Sequence, residues 1–64
     1  MQVAGKRLNV KTDQLRCKPA REYTRRYMKG DGKPRGFSCT DFGSETAIEF
    51  RCAKGGSVFF AIRR

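Results

Sequence analysis

The sequence predicts an α+β domain: a small antiparallel sheet of three to four strands, ending in a β-meander and packed against one helix. Three observations carry this. The C-terminal half alternates apolar and polar residues in short runs broken by glycine, the segment after Pro19 has helical start and stop signals, and 64 residues make only one domain, spanning positions 1–64. A small all-β barrel or sandwich is the alternative, because strands of this length also close on themselves.

The N-terminal stretch from Val3 to Lys11 sets Leu8 and Val10 against Arg7, Asn9 and Lys11, the alternation of a half-buried strand, with Gly5 interrupting it. Pro19 to Lys29 reads as a helix with Pro at its first position, Glu22 in its first turn, Arg25, Arg26 and Lys29 in its last, and Gly30 just beyond. Ala20, Tyr23, Thr24, Tyr27 and Met28 form its apolar face. Gly30 to Gly36 reads as a loop, with three glycines and Pro34 among charged residues.

Three strand-like runs follow, Phe37 to Phe42, Thr46 to Ala53 and Ser57 to Arg63. A two-residue turn at Gly43 and Ser44 sets Cys39 opposite Ile48 and Phe37 opposite Phe50. A three-residue loop of Lys54, Gly55 and Gly56 sets Cys52 opposite Val58 and Phe50 opposite Phe60. The helix is then expected to cover Phe37, Phe50 and Phe60, leaving Phe59 and Arg51 on the outer face. In this register Cys39 and Cys52 do not meet, so Cys17 is the expected partner in any disulfide. Ser57 to Arg63 becomes an exposed edge that a second copy of the chain can pair with, against the repulsion of Arg63 and Arg64.

Fifteen Lys and Arg residues against six acids leave a net charge of +9, and eleven of the fifteen lie within the first thirty-five positions. This asymmetry points to a polyanionic partner, nucleic acid first (RNA or DNA) and an acidic protein surface second. The residues expected to meet it are Arg21, Arg25 and Arg26 on the helix, Lys29, Lys33 and Arg35 beyond it, and Arg51, Phe59 and Arg63 on the sheet. A ring flanked by guanidinium groups suits single strands, because every base offers a π face and every phosphate a charge.

Arg35, Gly36 and Phe37, followed by Phe42, resemble the basic, glycine and aromatic octapeptide of RNA recognition motifs, and Asp41, Phe42, Ser44, Glu45 and Ala47 match residues that often follow it. The resemblance spans about residues 33–47 and implies a sheet that stacks bases. Ser38 and Cys39 depart from it where the family has a small residue and its stacking aromatic. The stretch before Arg35 is too short for the family's first helix and second strand. The chain is therefore not assigned to that family.

Other chemistries find little support. With no His and six scattered carboxylates, no nucleophile has its usual base, so the protein is expected not to be an enzyme. Cys17, Cys39 and Cys52 form no CxxC pair and lack a fourth ligand, so no metal or cofactor is expected. No apolar run approaches the roughly 20 residues of a membrane span, and the start lacks the apolar stretch of a secretory signal. A cytoplasmic or nucleoid/nuclear location is expected. The alternative is a secreted, β-rich effector, toxin or inhibitor with one disulfide, binding a protein or an anionic surface.

Overall fold

Two positive backbone angles start the fold. Ala4 (φ 52) and Gly5 (φ 77) form the tight turn whose twist matches that of the strands it joins, so Gly5 ends one strand and starts another. The computed structural model, which covers residues 1–64, runs β1 (Gln2–Val3), β2 (Lys6–Asp13), α1 (Cys17–Met28), β3 (Ser38–Asp41), β4 (Ile48–Lys54) and β5 (Ser57–Arg63). All five strands join one antiparallel sheet in the order β1-β2-β5-β4-β3. The α+β class is as expected, with an additional strand, and the sheet is open and not closed into a barrel. The helix carries the chain from β2 to the far edge, and the meander brings it back until β5 pairs with β2. No helix is long and apolar enough to cross a membrane.

This order places β5 in the middle of the sheet, flanked by β2 and β4, so it is not the exposed edge the sequence predicts. A copy of the chain cannot pair with it there. β4 occupies the stretch where RNA recognition motifs carry a helix, and Phe37 of the similar octapeptide is buried in the core.

The helix begins at Cys17, two residues before Pro19, with no side-chain cap from Arg16. Proline is still tolerated there, because the first-turn N–H groups have no partner within the helix. Glu22 consequently lies beyond the first turn, where it pairs with Arg25 at 2.6 Å and Arg26 at 3.8 Å. The C-terminus closes through Gly30 at φ 84: the Asp31 N–H donates to the Arg26 carbonyl at 2.9 Å and the Gly30 N–H to that of Tyr27 at 3.2 Å. Only a residue that tolerates the left-handed region makes this double bond without strain.

The apolar helix face is the one the sequence predicts. Ala20 and Thr24 are fully buried, and the Thr24 hydroxyl donates to the Ala20 carbonyl at 2.8 Å. Tyr23 packs on Phe37 and Phe59 with ring centroids 5.8 and 5.7 Å apart, and Tyr27 on Phe50 at 4.4 Å. Leu8, Cys52 and Ala61 complete this layer. Each large side chain buried here contributes about 1.5–3 kcal/mol.

Both hairpin registers differ from the expected ones. Gly55 and Gly56 alone form the β4–β5 turn, with Lys54 opposite Ser57, so Cys52 faces Phe59 and Arg51 faces Phe60. Shortening that loop by one residue turns every β5 side chain to the other side of the sheet. Phe59 enters the core and Phe60 leaves it. A bulge between Ile48 and Phe50 then restores Ile48 opposite Ile62. In the first hairpin the loop spans residues 42–47, so Cys39 lies opposite Cys52. These two form the disulfide, and Cys17 is free and exposed, reversing the expected pairing. Ile48 has no partner on β3 but stays in β4 through its pairing with Ile62 of β5.

Candidate nucleic-acid interface

The helix covers one side of the sheet only. On the other side Phe60 is the central aromatic, with Lys11 of β2 as its cross-strand partner on one flank and Arg51 of β4 on the other. Val58 and Ile62 continue the strip along β5, and Ile48 and Ala53 lie beside them on β4. These residues are half-buried, yet none belongs to the core cluster or to the side chains packed against it. The result is an apolar strip along β5, widened onto β4 at both ends and bordered beside Phe60 by a lysine and an arginine.

A second cationic feature lies on the helix side. Arg26 of α1, Lys33 and Arg35 of the following loop, and Lys54 at the β4–β5 turn surround a cleft of about 320 Å³ with Tyr23 and Phe37 in its wall. Asp31 is the single carboxylate there. The Lys54 stem runs close over Gly36: a Cβ at that position would lie 3.0 Å from Lys54 Cε and 3.2 Å from its Cδ and Nζ. Without a side chain, the loop lets the lysine stem cross it. The left-handed φ of 84 adds a second reason for glycine at this position.

In the third cationic region, at the opposite end of the sheet, two of four basic side chains share one carboxylate. Glu49, 15% exposed, accepts from Lys6 Nζ at 2.6 Å and from Arg63 Nη1 at 2.7 Å. Arg63 Nη2 also donates to the carbonyls of Gly43 and Thr46, so this guanidinium staples the loop between β3 and β4. Lys6 and Arg63 hold the Glu49 carboxyl below its ordinary value of 4.5. A depressed folded-state pKa gives stability that is present above 4.5 and lost as pH falls through the folded value. Glu49→Gln is accordingly expected to lower unfolding free energy by about 1 kcal/mol near neutral pH. In denaturant titrations the variant and the parent should converge as acid protonates Glu49, and a gap independent of pH contradicts this role.

Where the helix meets the edge strand β3, burial pushes the Tyr27 phenol up to about 12, and its hydrogen bond to Asp41 at 2.5 Å reinforces the shift. Tyr27 therefore stays protonated and ties the helix to the edge strand β3 throughout the neutral range.

The predicted contact residues separate into four groups. Arg26, Lys33 and Arg35 converge on the cleft. Arg21, Arg25 and Lys29 are exposed on or just beyond the helix, with Arg25 paired to Glu22. Arg51 lies on the open face of the sheet, remote from the helix cations. Phe59 and Arg63 are corrections: Phe59 is fully buried against Tyr23, Phe37 and Phe50, and Arg63 is committed to Glu49 and two carbonyls. The residues that take their place are Phe60, Lys11 and Lys54. A signal for them was present, since two adjacent glycines between apolar runs mark a two-residue hairpin, and that turn alone aligns Phe60 with Arg51. Of the fifteen basic side chains, only Lys6, Arg25, Arg26 and Arg63 form ion pairs, so most of the positive charge faces solvent unmatched. Comparison with protein-family models, curated proteins and solved structures found no match.

Proposed function

We propose that the protein binds single-stranded nucleic acid, RNA or DNA, on the open face of its sheet and acts by binding, not by catalysis. The observation that supports this most directly is Phe60 between Lys11 and Arg51 on a face no other element covers. A base can stack on the ring while the flanking cations neutralise phosphates on either side, and stacking of this kind is tolerant of sequence. Unmatched cations elsewhere on the surface add a long-range attraction that raises the encounter rate. A cytoplasmic or nucleoid location suits such a partner.

Salt dependence tests this. Fluorescence anisotropy with labelled single-stranded oligonucleotides should give log K falling against log salt with a slope of about 0.7 per phosphate neutralised. Lys11→Ala combined with Arg51→Ala should reduce the slope by more than one phosphate equivalent. Affinity indifferent to salt, or a slope unchanged in that double variant, removes the sheet face as the interface.

The Cys39–Cys52 disulfide favours a second reading, a secreted effector that binds a protein or an anionic surface, because such bonds persist in oxidising compartments. Retention of a protein from nuclease-treated extract on the immobilised domain, without nucleic acid, distinguishes it from the first.

A further inference from the structure

The geometry points to the helix-side cleft as a binding site for a phosphomonoester, a dianionic phosphate at the end of a nucleotide chain or on a free mononucleotide. This site lies on the opposite side of the sheet from Phe60 and does not depend on the stacking face.

Four cations reach the cleft from three separate parts of the chain: Arg26 from the helix, Lys33 and Arg35 from the loop, and Lys54 from the β4–β5 turn. Bringing like charges together is costly unless something of opposite sign relieves it. The internal acids do not do so. Lys33, Arg35 and Lys54 form no ion pair, Arg26 makes only the long 3.8 Å contact to Glu22, and Asp31 supplies one negative charge against four positive ones. The Lys54 stem passes directly over Gly36, within 3.0–3.2 Å of where a Cβ would stand. A dianion offsets most of the remaining charge, and a guanidinium can donate to two oxygens of a tetrahedral phosphate at once.

The cleft volume, about 320 Å³, lies near the lower limit for small-molecule sites of roughly 300–1,000 Å³. That is room for a phosphate with the sugar or base attached to it, and Tyr23 and Phe37 supply an apolar wall for the attached group. The more open cationic hollow around Arg7 and Arg64 is a poorer site: it has no apolar lining, and two of its four cations, Lys6 and Arg63, already share Glu49.

The test uses adenosine 5′-monophosphate and adenosine, together with one single-stranded oligonucleotide carrying either a 5′-phosphate or a 5′-hydroxyl, at matched ionic strength. The monophosphate is expected to shift the amide resonances of Gly32, Lys33 and Gly36, with adenosine silent. Its affinity should rise as pH passes about 6, where the monoester takes its second charge. Lys33→Ala with Lys54→Ala should weaken it at least tenfold. If the 5′-phosphate improves oligonucleotide binding and the double variant abolishes the gain, the ligand is a chain end. If only the mononucleotide discriminates, the ligand is free, and the site stands in either case. Phe60→Ala should weaken both oligonucleotides equally and leave their ratio intact, so failure of the stacking face is distinguishable from failure of the cleft. Equal binding of phosphorylated and unphosphorylated forms in both arms, or monophosphate affinity unchanged in the Lys33/Lys54 double variant, overturns the proposal.

Discussion

Phe59→Ala is expected to lower the unfolding free energy by about 3–5 kcal/mol, while its neighbour Phe60→Ala leaves the stability nearly intact and weakens nucleic-acid binding. Phe59 is fully buried and meets Tyr23, Phe37 and Phe50 at centroid distances of 5.7, 5.4 and 5.9 Å. Truncating such a ring removes its transfer free energy and leaves a cavity, a loss of about 3–5 kcal/mol. A domain this small has a total stability of roughly 3–10 kcal/mol. One substitution therefore consumes a large fraction of the whole. Phe60 faces away from that core, so its truncation forfeits mainly contacts with cross-strand neighbours. Its expected effect is on binding, about 1–3 kcal/mol per stacked base, or roughly five- to 150-fold in affinity. Thermal melts by circular dichroism and anisotropy titrations separate the two variants. A Phe59→Ala protein as stable as the parent would mean that the sheet presents its other side to the helix, and a Phe60→Ala protein that is folded with unimpaired binding would exclude the open face as the interface.

Reduction of the Cys39–Cys52 bond is expected to lower unfolding free energy by about 3 kcal/mol, the figure for a closed loop of roughly 15 residues; the two cysteines are 13 apart in sequence. The effect should concentrate on β3. That strand has four residues and lies at the sheet edge, tied to the rest by its ladder with β4, the disulfide and the Tyr27–Asp41 hydrogen bond. Amide exchange at Ser38 to Asp41 should accelerate on reduction more than exchange in the central strands. Thiol titration supplies the companion number, one reactive group (Cys17) before reduction and three after unfolding in reductant. Three reactive thiols in the untreated protein, or identical denaturation midpoints with and without reductant, refute the structural role of the bond.

The parts of the fold legible in the sequence are those set by local rules. The helix face of Ala20, Tyr23, Thr24, Tyr27 and Met28 follows from a 3.6-residue period, and the stop at Gly30 from the φ that only glycine adopts freely. The existence of three C-terminal strands follows from alternation with glycine breaks. An aromatic paired with Arg51 on the open sheet face was legible as an arrangement, but that aromatic is Phe60 and not Phe59. A period-2 pattern reports that a strand is half-buried, yet Val58, Phe59, Phe60, Ala61 and Ile62 are all apolar, so β5 offers no polar residue to mark its solvent side.

Charge, the single helix and the strands are thus determined by the sequence alone, because composition and local periodicity act within a few residues of one another. Tertiary structure alone decided the sheet order, the side of β5 that faces the helix, the disulfide partner and the convergence of Lys54 with Arg26, Lys33 and Arg35. Each of these depends on the number of residues absorbed by a turn or a bulge far along the chain. One residue more or less in a loop exchanges the two faces of a strand at almost no local cost, and only packing of the whole sheet against the helix selects between them.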